Sequence, residues 1–216
     1  MAVQKREVRT GVGGQFMPHI REAAEGEQNT GRTIEGYAIV FGVESKLLVD
    51  YWDAYREIIE PGAITEEELK GMDIKMTMYH NREKLLARSN KGVGTLNLSV
   101  DEVGVKYSFE APDTVDGNTA LELVKRGDLV GSSFMYWTDE ANNVYYEKMD
   151  DGTLLRHVKK ISEVMDMTIA ADPAYNETTV TAREVEQKIG PLKPKKNGRS
   201  IQMELDRQER EMMMYD

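Results

Sequence analysis

Val93-Gly94-Thr95-Leu96-Asn97-Leu98-Ser99-Val100 is followed by Asp101-Glu102-Val103-Gly104 and then by Val105-Lys106-Tyr107-Ser108-Phe109-Glu110. Apolar and polar residues alternate at a period of two on both sides of a polar turn. Such alternation turns one row of side chains to a core and the other to water, so the stretch predicts a β-hairpin. Upstream, Thr33-Ile34-Glu35-Gly36-Tyr37-Ala38-Ile39-Val40-Phe41 alternates and then runs continuously apolar, as in a strand passing from half-buried to buried. Gly42 breaks it. Tyr55 to Ile59 predicts a second strand, closed by the turn chemistry of Pro61-Gly62. Thr65 is placed to cap a short helix over 65–70, where Glu66, Glu67 and Glu68 suit the positive N-terminal end. Ile74 to Tyr79 alternates around Lys75 and Thr77, predicting a strand that delivers His80 at its end.

Downstream of the hairpin, Pro112-Asp113-Thr114 opens a helix. Its apolar face is Ala120, Leu121, Leu123, Val124 and Leu129, with Lys125 and Arg126 in the last turn and Gly127 as the stop. Leu129 to Trp137, containing Gly131-Ser132-Ser133-Phe134, predicts a strand. Tyr145 to Lys148 and Leu154 to Val158, around Asp150-Asp151-Gly152, predict another hairpin. Ile161 to Ala171 predicts a final strand, ended by Asp172-Pro173. Many short strands with few helices predict an α+β fold with a β-rich barrel or sandwich core.

The flanks differ in character. Residues 1–31 are polar, Gly-rich and aperiodic, predicting a loose arm with an edge strand at its middle, Gln15 to Ile20. Residues 32–184 form the expected domain. Residues 185–216 begin with a Pro/Gly/Lys linker, Lys188 to Gly198, and continue as a charged stretch with too little apolar face to fold alone, so a docking or disordered tail is expected.

Composition narrows the chemistry. The 216 residues contain no cysteine, which excludes disulfides, thiolate metal sites and cysteine nucleophiles. A net charge of −10 disfavours nucleic-acid binding, which needs an excess of Lys and Arg to neutralise phosphates. The opening residues lack the apolar core of a secretory signal, and the longest apolar run, Tyr37 to Phe41, is far short of a membrane helix. Three histidines, His19, His80 and His157, with no two inside one helical turn, give poor support for a metal cluster, and neither a metal nor a cofactor is expected.

Nucleophilic chemistry remains. A serine hydroxyl needs a neighbouring base, and that base needs a group to orient it. Ser133 follows a glycine on a predicted strand. His80 ends a predicted buried strand, where an imidazole is held by the scaffold yet reaches a cleft. Asp166 stands between Met165 and Met167, where a carboxylate is costly unless paired; Glu163 is its nearest competitor. The segment is not G-x-S-x-G, because Met135 takes the second glycine position, so a nucleophile-elbow hydrolase is disfavoured. From the residues alone the site is a candidate serine hydrolase centre.

Six blocks in order resemble the prohead (capsid maturation) serine proteases of tailed phages, a family whose fold is similar to the herpesvirus assemblin proteases. They are Gly36 to Gly42; Glu57-Ile58-Ile59-Glu60-Pro61-Gly62-Ala63; Tyr79-His80-Asn81 with Leu85 to Arg88; Gly94 to Leu98 with Asp101 and Gly104; Leu123 to Phe134, ending in the G-x-S-F nucleophile pattern; and Asp166-Met167-Thr168 with Pro173-Ala174-Tyr175 and Thr178. Departures include Ile64 in place of a Phe, Asn176 in place of a Pro, Met135-Tyr136-Trp137 after the nucleophile position, and Asp172 where the family is apolar. The resemblance implies a closed, barrel-like β-rich core with a few helices and a serine endopeptidase with Ser133 as nucleophile, His80 as base and Asp166 as third member, preferred to Glu163; His157 is a fallback, because the herpesvirus relatives use a second histidine. It implies the major capsid protein, the scaffolding protein and the protease itself as substrates, within the immature prohead in the host cytoplasm, without nucleic-acid or membrane partners. A non-catalytic capsid-assembly protein on the same fold is the alternative; an esterase is a third reading.

Overall fold

Period-two alternation becomes strands over about half of the described residues. The computed structural model describes residues 17–21, 31–49 and 54–171, with backbone alone at 4–10 and 49. The block around Pro173 and Thr178 and the tail 185–216 lie outside the described residues, as do Gln15 and Phe16. In chain order the elements are β1 (Gln4–Thr10), β2 (His19–Ile20), β3 (Thr33–Val40), β4 (Leu48–Val49), β5 (Ala54–Ile59), α1 (Glu66–Lys70), β6 (Asp73–Met78), β7 (Asn81–Asn90), β8 (Val93–Gly94), β9 (Leu96–Val100), β10 (Gly104–Glu110), α2 (Val115–Arg126), β11 (Gly131–Asp139), α3 (Glu140–Asn143), β12 (Val144–Lys148), β13 (Leu154–Val158) and β14 (Glu163–Ala170). No helix among the described residues is long and apolar enough to cross a membrane.

The strands form three sheets. One has six strands in the order β1-β11-β14-β6-β7-β8, one is β2-β3-β10-β9, and one is β12-β13-β5-β4. A single apolar cluster joins them: Ile34 and Ile39 of β3, Tyr107 and Phe109 of β10, Phe134 and Tyr136 of β11, and Ile74, Met76, Met167 and Ile169 of the central strands β6 and β14. Both longer helices end as their sequences dictate. Thr65 and Glu68 form a reciprocal capping box on α1. Thr114 caps α2, and Gly127 closes it at φ 76°, a left-handed turn that suits a residue without Cβ.

Four expectations change. The closed barrel does not form among the described residues: pairing stops at β1 and β8, at β2 and β9, and at β12 and β4. The chain leaves one sheet for another instead of completing a ring, and the clearest corner lies inside the hairpin stretch. Val93 to Val100 is not one strand. β8 pairs in the six-stranded sheet and β9 in the second, with the corner at Gly94-Thr95. Gly94 has φ 146°, and a Cβ there would lie 2.0 Å from the Arg88 carbonyl oxygen. Gly94→Ala is therefore expected to destabilise the fold by about 2 kcal/mol or more, read as a drop in the denaturation midpoint; an unchanged midpoint contradicts the corner's tightness.

Next, β7 is a ten-residue strand that alternation did not indicate, because its first half is charged and exposed and only Leu86, Ala87 and Ser89 are buried. Bulges on either side of Thr77 further offset its pairing with β6. Finally, Gln4–Thr10, inside the stretch read as a loose arm, runs as β1 antiparallel to β11. His19–Ile20 pairs with β3, at the end of the expected edge strand.

Candidate active site

β6 and β7 are joined by two residues, Tyr79 and His80, both at φ 55°, with Met78 opposite Asn81. Two successive left-handed residues make the tight hairpin turn whose twist matches the strands, a turn usually built from Asn and Gly. Tyr and His there cost about 1 kcal/mol or more each, and the surroundings hold them. The Tyr79 N–H donates to the Ile169 carbonyl at 3.3 Å. The His80 N–H donates to Thr168 Oγ1 at 3.0 Å, whose hydroxyl donates in turn to the Thr77 carbonyl at 2.8 Å. The turn projects His80 over one face of the six-stranded sheet.

Register decides which side chains share that face. Ser133 of β11 lies opposite Thr168 of β14, and Thr168 lies beside Thr77 of β6. Asp166 is two residues before Thr168, so period two sets it on the same face. The imidazole joins them: His80 Nε2 is 2.6 Å from Ser133 Oγ, and His80 Nδ1 is 2.7 Å from Asp166 Oδ1. An ionised carboxylate only accepts, so Nδ1 carries the proton and the neutral ring's Nε2 accepts from the serine hydroxyl. Ser133 and Asp166 are fully buried, while the His80 side chain is 21% exposed. Thr77, also buried, stands at 3.4 and 3.5 Å from the two Asp166 oxygens.

Neighbouring candidates fall elsewhere. Ser132 points to the opposite face, where its hydroxyl is 2.9 Å from the Tyr107 hydroxyl; burial pushes Tyr107 well above the ordinary tyrosine range, so it stays neutral. Glu163 opens β14 at an exposed position, opposite Trp137. His157 lies on β13 in the third sheet, stacked on Tyr145 at 4.3 Å with its Nδ1 2.6 Å from Glu60 Oε1.

Sequence reasoning missed the support behind the strand. Arg156 of β13 is almost fully buried and pairs with Glu57 of β5 and Glu140 of α3. Its Nη1 also donates to the Tyr136 hydroxyl at 2.9 Å, and that hydroxyl donates to Glu57 at 3.0 Å. Burial alone would favour losing the proton, but Tyr136, Glu57 and Glu140 outweigh it and hold Arg156 well above the ordinary guanidinium value. Tyr136 is three residues beyond Ser133, so the cluster ties the strand of the candidate nucleophile to the third sheet. The one signal in the sequence was Glu57 itself, a buried-phase acid in an apolar strand, and its basic partner is 99 residues away.

A hydroxyl, an imidazole and a carboxylate joined in series on a sheet face form the hydrogen-bond pattern of serine hydrolases. The sequence model of the caudovirus prohead serine protease family matches residues 19–190. The chain belongs to this family, the serine proteases of capsid maturation in tailed bacteriophages. No curated protein and no solved structure matches it.

Proposed function

We propose that the chain is the prohead maturation endopeptidase of a tailed phage, cleaving scaffolding protein or the scaffold segment of the major capsid protein, and itself, with Ser133, His80 and Asp166 as its triad. The observation that carries this reading is the unbroken series Ser133 Oγ, His80 Nε2, His80 Nδ1, Asp166 Oδ1. Ser133 Oγ attacks a peptide carbonyl carbon while its proton passes to His80 Nε2. The C–N bond of the tetrahedral adduct breaks as His80 returns that proton to the leaving amine. Water, deprotonated by the same nitrogen, then releases the acyl group and restores the serine. Asp166 holds the Nδ1–H tautomer and stabilises the imidazolium. Thr168 fixes the backbone of His80 in its left-handed turn.

Co-expression of the chain with its cognate capsid and scaffolding proteins, followed by intact-mass measurement, tests the reading. Trimmed partners with the wild type and full-length partners with Ser133→Ala support it. Untrimmed partners in both, with shells assembling normally, favour the non-catalytic assembly protein. On a peptide spanning a mapped cleavage site, Asp166→Asn is expected to lower kcat by about 10⁴-fold, because the amide leaves the ring in the wrong tautomer. A loss below tenfold removes Asp166 from the triad.

A further inference from the structure

The described structure has no path to Ser133 along its own strand. Ser133 is fully buried, and both backbone edges of β11 are paired, with β14 on one side and β1 on the other. Attack requires a carbonyl carbon roughly 3–3.5 Å from the hydroxyl. β14 carries Asp166 and Thr168, so its departure would dismantle the site. Among the described residues β1 is the outermost strand of the sheet and pairs there with β11 alone. Its register is unbroken from Gln4 opposite Asp139 to Thr10 opposite Ser133, so the strand ends directly beside the candidate nucleophile. Its sequence, Gln-Lys-Arg-Glu-Val-Arg-Thr, has four charged residues and one aliphatic residue. Main-chain pairing with β11 places it in the sheet, through bonds that any extended peptide offers.

We propose that the β11 edge beside Ser133 is the docking line for an extended peptide substrate and that β1 is the chain's own occupant of it. This rests on Ser133 being the nucleophile. Substrate recognition is then strand exchange: β1 leaves, and the substrate backbone takes its place antiparallel to β11.

The test locks and loosens β1 in the full chain and reads the rate at which an alkyl fluorophosphonate modifies Ser133. Arg6 and Trp137 are directly opposite each other in register, at a spacing that a disulfide spans, and the chain has no other cysteine. The Arg6→Cys/Trp137→Cys variant is expected to react at least tenfold more slowly when oxidised than when reduced. In Glu7→Pro/Val8→Pro, two adjacent backbone donors are lost, one of which faces β11. This variant is expected to react at least tenfold faster than the wild type, and added peptide of the sequence Gln-Lys-Arg-Glu-Val-Arg-Thr is expected to slow it again. Equal rates in the oxidised and reduced forms overturn the proposal even if the proline variant fails to fold. Modification of some other residue in every form overturns the serine reading instead, so the two failures are distinguishable.

Discussion

Ser133→Ala is expected to abolish processing, with cleavage of co-expressed capsid proteins falling by roughly 10⁴- to 10⁶-fold while the thermal midpoint stays close to that of the wild type. Ser132→Ala is expected to do the reverse. Ser132 faces away from His80 and bonds the buried Tyr107 hydroxyl. Losing that partner leaves a buried polar group unpaired and costs about 1–3 kcal/mol of stability, with activity kept within about tenfold. The pair of variants separates catalysis from packing at adjacent positions of one strand. Comparable activity in both, or loss centred on Ser132, contradicts the register on which the site rests.

The largest stability effect is expected at Arg156. Replacing it by Met keeps much of the volume but strips Glu57 of its countercharge. Glu57 is fully buried and ion-paired with Arg156. Breaking a buried pair by removing one partner costs about 3–5 kcal/mol, whereas replacing both with apolar groups is often neutral. Arg156→Met is therefore expected to lower the chemical denaturation free energy by that amount, and Arg156→Met/Glu57→Leu to recover most of it. A loss of less than about 1 kcal/mol in the single variant shows that the cluster does not hold the third sheet to β11.

The elements legible in the sequence are those whose burial follows a single period. β3, β5, β6, β10 and β14 lie within a residue or two of where alternation or a continuous apolar run marks them. The capped helices are legible because capping is local chemistry. β7 was not, because its place in the sheet comes from backbone pairing with β6 under a charged, half-exposed row of side chains. β1 was hidden because four of its seven residues are charged and its place comes from backbone pairing with β11. The corner at Gly94 was hidden because alternation continues across it while the pairing partner changes.

At the site, His80, Ser133 and Asp166 were named from residue type and strand position, and the structure sets the three within hydrogen-bond reach. What sequence does not carry is facing. Choosing Asp166 over Glu163, or Ser133 over Ser132, needs the register of β11 against β14. The contacts of Thr168, Thr77 and Arg156 are long-range as well: each bonds a residue dozens of positions away, Arg156 through Glu57.

The most direct test of the central claim is peptide mapping after prolonged incubation of the folded wild-type chain with an alkyl fluorophosphonate. Such a reagent modifies a serine only where a neighbouring base activates it. One adduct is expected, on Ser133, absent from Ser133→Ala and from His80→Ala. An adduct on another hydroxyl, or on Ser133 undiminished by loss of His80, would contradict it.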